Sequence, residues 1–436
     1  MRIALVNPPL ARRYTVGLDE PLAIEYLAAQ VQDSHDVMLA DGMALGLTVE
    51  ECAQLVVDWE PDLVGISLTF TGAWSTVRQL LETIRALRPS VATVLGGNTA
   101  TFLAGELAAL PSVDYVVKGE GDNTFRELVQ ALDAGIPPAG VAGLCWTENG
   151  TLVDTGVRPL EEDVDRFPLP ARNLLPLAEH YRKVILSARG CPYGCIYCST
   201  SAFWQRRFRT RSVDSILAEA RTLLSDPALD YFSFADDCFT LSERRVLNIC
   251  DGLDRMGHAL TWSCTGRIET IAEGMLRRMA ETGCRHIFFG VESGSDAVLK
   301  SIGRKYSAAD VVRVYTLCLR HGIQPSFSYI VGLPSEREAD RRATLDLIDR
   351  LGGVENGMHI LTPFPGTPIG DDPDRFGIQV VPHTIEDLDI NTRSLVATPH
   401  FSPERTEEDF RTGLGVGFRA LRRVRSRHEA SSRSEA

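Results

Sequence analysis

The chain has 436 residues, an apolar fraction of 44%, a charged fraction of 24% and a formal net charge of −13. That length allows two or three domains with well-buried cores. The acidic balance excludes general nucleic-acid binding, which needs a positive footprint. The start, MRIALVNPPLARR, is not a secretory signal, because Asn7-Pro8-Pro9 stops the apolar run early. No run approaches the ~18 apolar residues of a membrane span. We expect a cytoplasmic protein that binds neither nucleic acid nor membrane.

The first 135 residues alternate between strand and helix signals. RIALVNPP, DVMLAD, DLVGISLTF, VATVLGGN and VDYVVKGEG are short apolar runs, separated by segments such as PLAIEYLAAQVQDS, VEECAQLVVDWEP and STVRQLLETIRALRP with apolar residues at helical spacing. This alternation predicts a parallel, doubly wound sheet. Ligands of such sheets bind beyond the carboxyl ends of the strands. Those ends carry Pro9, Ser67, Thr69, Gly96, Gly97, Asn98, Gly119, Glu120 and Gly121. Small residues on one rim let a ligand approach the backbone, although Gly and Ser at a single loop need only make a turn. No G-x-G-x-x-G opens the first helix, which argues against a classical dinucleotide fold.

Residues 138–183 read as a Pro-rich linker, with a small hairpin at ENGTL. Alternation resumes at KVILSARG and continues through YFSFADD, LTWSCTGR, HIFFGVES, SFSYIVGLP and GMHILTPFP. Six βα-type units make a partial (β/α)6 barrel, short of the eight of a full barrel. Beyond about 373 the pattern weakens to a short helical C-terminal extension. EEDFRTGLGVGFRALRRVRSR reads as a helix with a basic, solvated end, and SSRSEA as a disordered tail. The expected domains are therefore 1–137, a linker 138–183, 184–372 and the extension 373–436.

There are ten cysteines. Cys52, Cys145, Cys238, Cys250, Cys264, Cys284 and Cys318 are scattered singly and read as buried thiols of a reducing compartment. Cys191, Cys195 and Cys198 form CPYGCIYC, spaced C-x3-C-x2-C, in a loop at a strand's carboxyl end. A structural zinc site usually takes four ligands, and the next candidates, His180 and Cys238, lie at no zinc-knuckle spacing. A disulfide leaves one thiol over. A redox pair at Cys195 and Cys198 leaves Cys191 without a role. An iron–sulfur cube fits better: three thiolates hold it and the fourth iron stays open to a ligand.

The cysteine spacing, the aromatic Tyr197 before the third cysteine and the partial barrel together resemble the radical S-adenosylmethionine superfamily. The resemblance implies a 4Fe–4S cluster on Cys191, Cys195 and Cys198, whose open iron chelates the amino and carboxylate groups of S-adenosylmethionine. Reductive cleavage there gives methionine and a 5′-deoxyadenosyl radical that abstracts hydrogen from substrate. Tyr197 matches the aromatic near the adenine. Asp236 and Asp237 match the segment that receives the cofactor's amino group, with helix capping as the simpler role for one of them. Arg267 matches a basic residue facing the cofactor, with a surface ion pair as its alternative. Glu292 and Ser293 match the ribose or carboxylate contacts. Gly332-Leu333-Pro334 matches the turn beside the cofactor.

The first domain, with its early NPP, PDLVGIS, VLGGN and VDYVVKGEGDNTF, resembles the cobalamin-binding domain of a large subgroup of that superfamily. Two departures stand out. NPPLARRY holds no histidine, so no lower axial ligand is expected from that loop, and His35 reads as a surface residue. Asn98 stands where the subgroup often has Pro-His. A crevice without cobalamin is the alternative. The resemblance implies a cobalamin-dependent radical enzyme, in the first place a methyltransferase acting on an unactivated carbon in secondary metabolism. Ring formation or another carbon-skeleton change is the second enzyme reading, and a non-catalytic cobalamin or cluster protein the third. The implied partners are a small-molecule, carrier-bound or peptide substrate and an electron donor such as flavodoxin or ferredoxin. Cys238, directly after Asp237, reads as a small buried hydrophobe, with a hydrogen-atom donor or extra ligand as the sharper alternative.

Overall fold

The computed structural model describes residues 1–9, 19–175, 181–226, 229–257, 260–352 and 356–415. His180, the loop residues 10–18, the basic end of the last helix and the SSRSEA tail lie outside them. Two compact units divide near Val184, with Phe203–Gln205 clustering with the first.

In the first unit β1 (Arg2–Asn7), β2 (Asp36–Asp41), β3 (Leu63–Ser67), β4 (Ala92–Gly96) and β5 (Tyr115–Val117) form a parallel sheet in the order β2-β1-β3-β4-β5. The order reverses between β1 and β3, the place where open parallel sheets put their ligand crevice. Both faces of the strands are covered, so Ile3, Ala4, Leu5 and Val6 are buried in succession. The helices show why they start where they do. Thr48 accepts the Glu51 amide at 3.1 Å and Glu51 accepts the Thr48 amide at 2.9 Å, a capping box that opens the helix Val49–Asp58. That helix buries Cys52, Ala53 and Val56 at helical spacing.

The stretch read as a connector does more than connect. β6 (Leu144–Glu148) and β7 (Thr151–Asp154) fold about Asn149-Gly150, both at positive φ, and extend the sheet antiparallel from β5.

The second sheet orders β8 (Lys183–Ile185), β11 (Tyr231–Phe234), β12 (Thr261–Gly266), β13 (Cys284–Glu292), β14 (Gln324–Val331) and β15 (Asn356–Ile360) as β15-β14-β13-β12-β11-β8. The six strands stay open, with β15 and β8 at the edges. Alternation sorts the side chains. Trp262, Cys264, Ile287, Phe289, Phe327 and Tyr329 pack into the helix-side core, while Ser233, Ser263, Ser326 and Ser328 share the other face. A short antiparallel pair, β9 (Ala188–Arg189) with β10 (Arg209–Thr210), closes the two ends of the cysteine loop.

Beyond Asp372 the chain is not purely helical. β16 (Gln379–Val380) pairs antiparallel with β17 (Val396–Ala397), and residues 403–415 are helical. Ile369, Ile378 and Val396 pack with Val298, Ile302 and Leu333 against Ile196 and Tyr197. The extension thus buttresses the cysteine loop, and the Ile369 amide donates to the Ile196 carbonyl at 3.2 Å.

Candidate functional site

Gly190, at φ 93°, turns the chain out of β9 into the cysteine loop, a conformation that a side chain would strain. Its amide donates to Asp237 at 3.1 Å. Cys195 is buried, and Cys191 and Cys198 are half-buried. Burial pushes the Cys191 thiol up; the Tyr193 amide and Arg267 act against it, and Cys195 and Cys198 each raise it further. Burial likewise raises Cys198, with Thr200 acting against it and Cys195 adding to it. The three sulfurs therefore feel one another. Among the described residues no three His, Cys, Asp or Glu side chains converge on a single metal ion. Three thiolates in one loop suit a cube, in which each binds a different iron and the fourth iron stays open. A metal cluster also supplies the positive charge that lets neighbouring buried thiols ionise together.

Arg267 leans on this loop. Its Nη1 donates to Cys195 Sγ at 3.7 Å, and its guanidinium lies 3.6 Å from the centre of the Tyr193 ring. Burial and Arg304 act against its charge, yet the bond to Glu269, 2.6 Å from Nη2, holds its pKa above the ordinary value. The ion pair with Glu269 is real, but it is partly buried, with Arg267 buried and Glu269 half-buried.

Close enough to act on Arg267 stands a second cation, which the sequence did not reveal. Arg304 Nη2 donates to the Tyr197 hydroxyl at 2.6 Å and to the Glu292 carboxylate. Glu292 ends β13 at φ 69°, just past a register shift at Gly290. A non-glycine residue in that region costs about 1–3 kcal/mol and persists only when its surroundings hold it. Here the ion pair with buried Arg304 holds it. Arg304 follows the short helix Asp296–Ser301 in a segment with no motif spacing, so only the folded chain reveals the contact.

Two residues expected at the cofactor have partners within the protein. Asp236 is fully buried: Oδ1 accepts the Ser187 and Ala188 amides at 2.7 and 3.0 Å, and Oδ2 accepts Ser187 Oγ at 2.6 Å and Arg245 at 3.3 Å. Its carboxylate staples β11 to the chain leading into the cysteine loop. Asp237 is exposed and remains at the loop mouth. Ser293 is also turned inward, 3.3 Å from the Thr344 hydroxyl and accepting the Ser295 amide at 3.1 Å. The Gly332-Leu333-Pro334 turn is fixed from below, where the Gly332 amide donates to Glu336 at 2.8 Å. Cys238 is 1% exposed and burial pushes its thiol up to about 12, which makes it a packed small hydrophobe beside the site.

The rim of the first unit is built from backbone. Gly97, at φ 116°, lies so close to β3's end that a Cβ would stand 2.6 Å from the Leu68 carbonyl oxygen. The Leu68 amide donates to the Gly96 carbonyl at 2.7 Å. Thr101 links the next strand ends, donating to the Gly97 carbonyl at 2.8 Å and accepting the Gly119 amide at 2.9 Å. Ser67 and exposed Thr69 share a 3.1 Å hydroxyl contact. Pro9 is buried against Gly42, where a Cβ would meet the Pro9 nitrogen at 2.8 Å. Asn98 begins the short helix Asn98–Phe102, and Gly121 begins the helix Gly121–Asp133. Glu120 accepts the Glu161 amide at 3.2 Å and is turned toward the connector. Gly96, Gly97, Gly119 and Gly121 leave this rim poor in side chains, and a Cβ at each of them would meet neighbouring protein atoms within 4 Å.

Comparison with known proteins agrees with both halves. Residues 185–348 match the radical SAM superfamily model and residues 14–129 the B12 binding domain model. An uncharacterized methyltransferase of Pyrococcus horikoshii is 33% identical over 84% of this chain and 82% of its own. The anaerobic magnesium-protoporphyrin IX monomethyl ester cyclase of Rubrivivax gelatinosus is 27% identical over 84% of this chain and 68% of its own. The structure of the radical S-adenosylmethionine methyltransferase TsrM from Kitasatospora setae, with cobalamin and a 4Fe–4S cluster bound, superposes with a TM-score of 0.76 at 20% identity, covering 94% of this chain and 90% of that one. The radical SAM domain implies a 4Fe–4S cluster and S-adenosylmethionine, and the first domain implies cobalamin. The chain belongs to the radical S-adenosylmethionine superfamily, in the subgroup that carries a B12-binding domain ahead of the radical domain.

Proposed function

We propose that this enzyme methylates an unactivated carbon of a small, carrier-bound or peptide substrate of secondary metabolism. The carrying observation is the three-thiol loop contacted by two buried, ion-paired arginines, on a chain that also presents a side-chain-poor rim. When bound, the cofactors supply hydrogen abstraction and a transferable methyl group, which acid–base groups cannot provide at a carbon without an acidic proton. The protein's part is placement. Cys191, Cys195 and Cys198 hold the cluster and leave one iron open. Arg267 offers a cation at the loop, and Arg304 holds Glu292 and Tyr197. Asp237, exposed and accepting the Gly190 amide, is the carboxylate proposed to meet an ammonium group.

The ten cysteines, all free among the described residues, suit a reducing cytoplasm. No described helix is long and apolar enough to cross a membrane.

The test is anaerobic incubation of the reconstituted enzyme with S-adenosylmethionine, a strong reductant and hydroxocobalamin. Formation of 5′-deoxyadenosine and of methylcobalamin is expected. Formation of 5′-deoxyadenosine alone supports the second reading, a carbon-skeleton reaction without methyl transfer, which the similarity to a cyclase favours. Absence of both points to a non-catalytic protein and contradicts the proposal.

A further inference from the structure

Directly after the cysteine loop the chain reads Gln205-Arg206-Arg207-Phe208-Arg209-Thr210-Arg211, with four arginines and no acid in a chain of net charge −13. The structure divides these cations. Arg209 and Arg211 are buried, and Arg211 is neutralised by Glu219. Arg206 and Arg207 are exposed. Gln205 and Arg206 sit at φ 51° and 53°, left-handed conformations that non-glycine residues rarely adopt. The turn is tied down by the Arg206 amide, which donates to the Ser201 carbonyl at 2.7 Å. It lays the Arg206 guanidinium beside Gly194, with Cζ 3.5 Å from where a Cβ would stand. Pro192 and Gly194 are exposed, whereas Cys195 just behind them is buried. Among the described residues the loop tip is thus a place where little protein covers Cys195, and Arg206 borders it.

Electron tunnelling falls steeply with distance, so a donor must dock where the covering protein is thin. The overall negative charge repels an acidic donor everywhere that positive charge is not concentrated. We propose that Arg206 and Arg207 form the docking surface for a small acidic one-electron carrier protein, which seats its redox centre against Pro192–Gly194. The step balances simply: the carrier loses one electron, the cluster gains it, and no atom or proton moves. This rests on the cysteine loop being the cluster site.

The experiment uses the full-length reconstituted enzyme and reduced flavodoxin as the probe. Bleaching of the cluster's visible absorption gives the reduction rate, and calorimetry with oxidised flavodoxin gives the affinity, both across a salt series. For Arg206→Glu/Arg207→Glu we expect flavodoxin-driven reduction to slow about tenfold or more and its salt dependence to flatten, as for charges that steer association. Reduction by photoreduced deazaflavin, a small donor that needs no docking surface, should be unchanged. Arg206→Lys/Arg207→Lys should keep both rates. An equal loss with both donors would assign the arginines to folding or cofactor binding and overturn the proposal. Unchanged flavodoxin rate and affinity would place docking elsewhere and overturn it too. A wild-type chain without cluster absorption would instead sink the cluster reading on which it rests.

Discussion

The two candidate sites of this chain are made of different material. The rim of the first unit is backbone and glycine: Gly97 against the Leu68 carbonyl, Gly119 on Thr101, Pro9 on Gly42. The mouth of the second unit is side chain: three thiols, Arg267 with Glu269, and Arg304 with Glu292 and Tyr197. A large, rigid ligand is held by shape, so its site needs room. A cluster and a zwitterion are held by bonds and charge, so their site needs donors in fixed places. The lesson is that damage should take different forms: lost donors abolish chemistry, whereas lost space weakens retention.

The largest effect should follow from Cys191→Ala, Cys195→Ala or Cys198→Ala. Each should remove the cluster absorption and 5′-deoxyadenosine formation while cobalamin retention persists. A single-cysteine variant that cleaves S-adenosylmethionine at the wild-type rate would break the comparison at once.

Next comes Arg304→Met. It leaves the Glu292 carboxylate buried without its counter-charge, which costs about 3–5 kcal/mol. Hydrogen exchange at the β13 and β14 amides should speed up accordingly. Adding Glu292→Gln should recover part of the loss, because it removes the stranded charge. Lack of any recovery would mean that Arg304 acts through packing alone.

Gly97→Ala should cost about 1–3 kcal/mol from backbone strain, and its Cβ would crowd the rim. We expect weaker cobalamin retention after desalting with an unchanged cluster spectrum. If cluster and cobalamin fall together, the two sites are not separable in the way described here.

A smaller effect is pH-dependent. Burial pushes Glu336 from 4.5 up to about 7, against the pull of Arg341 and the Gly332 amide. The folded chain therefore holds this proton more tightly than the unfolded one. Its stabilising contribution is full below about pH 4.5 and is lost as pH rises through about 7. Denaturant midpoints from pH 5 to 8 should show a downward component that Glu336→Gln flattens; an unchanged slope in the variant would refute it. Smallest of all, Cys238→Ala should lose less than about 2 kcal/mol and keep full turnover with the same products. A changed product distribution would restore it as a hydrogen-atom donor.

Legibility followed the same division. C-x3-C-x2-C is local, so the loop could be read directly from spacing, and βα alternation is local, so both sheets could be read from periodicity. The rim glycines could be placed because strand ends are visible in sequence. What could not be read was tertiary pairing. Asp236 and Asp237 are adjacent and chemically identical, yet the fold saturates one inside and leaves the other at the surface. Arg304 reaches Tyr197 across 107 positions. The β9–β10 pair that closes the loop spans only two residues in each strand, too few for any periodicity. The hairpin at Asn149-Gly150 was visible as a turn, but not as an extension of the first sheet.

The central claim is that one chain holds a cluster on three cysteines and cobalamin on a separate glycine rim. Anaerobic reconstitution with iron, sulfide and hydroxocobalamin, followed by desalting and an ultraviolet–visible spectrum with metal analysis, tests it most directly. The account predicts cluster and cobalamin bands that stay with the protein, with stoichiometric cobalt alongside cluster iron, and a triple Cys191→Ala/Cys195→Ala/Cys198→Ala chain that keeps the cobalt and loses the iron. Cobalt that washes away from a cluster-loaded chain, or iron that persists without the cysteines, would contradict it.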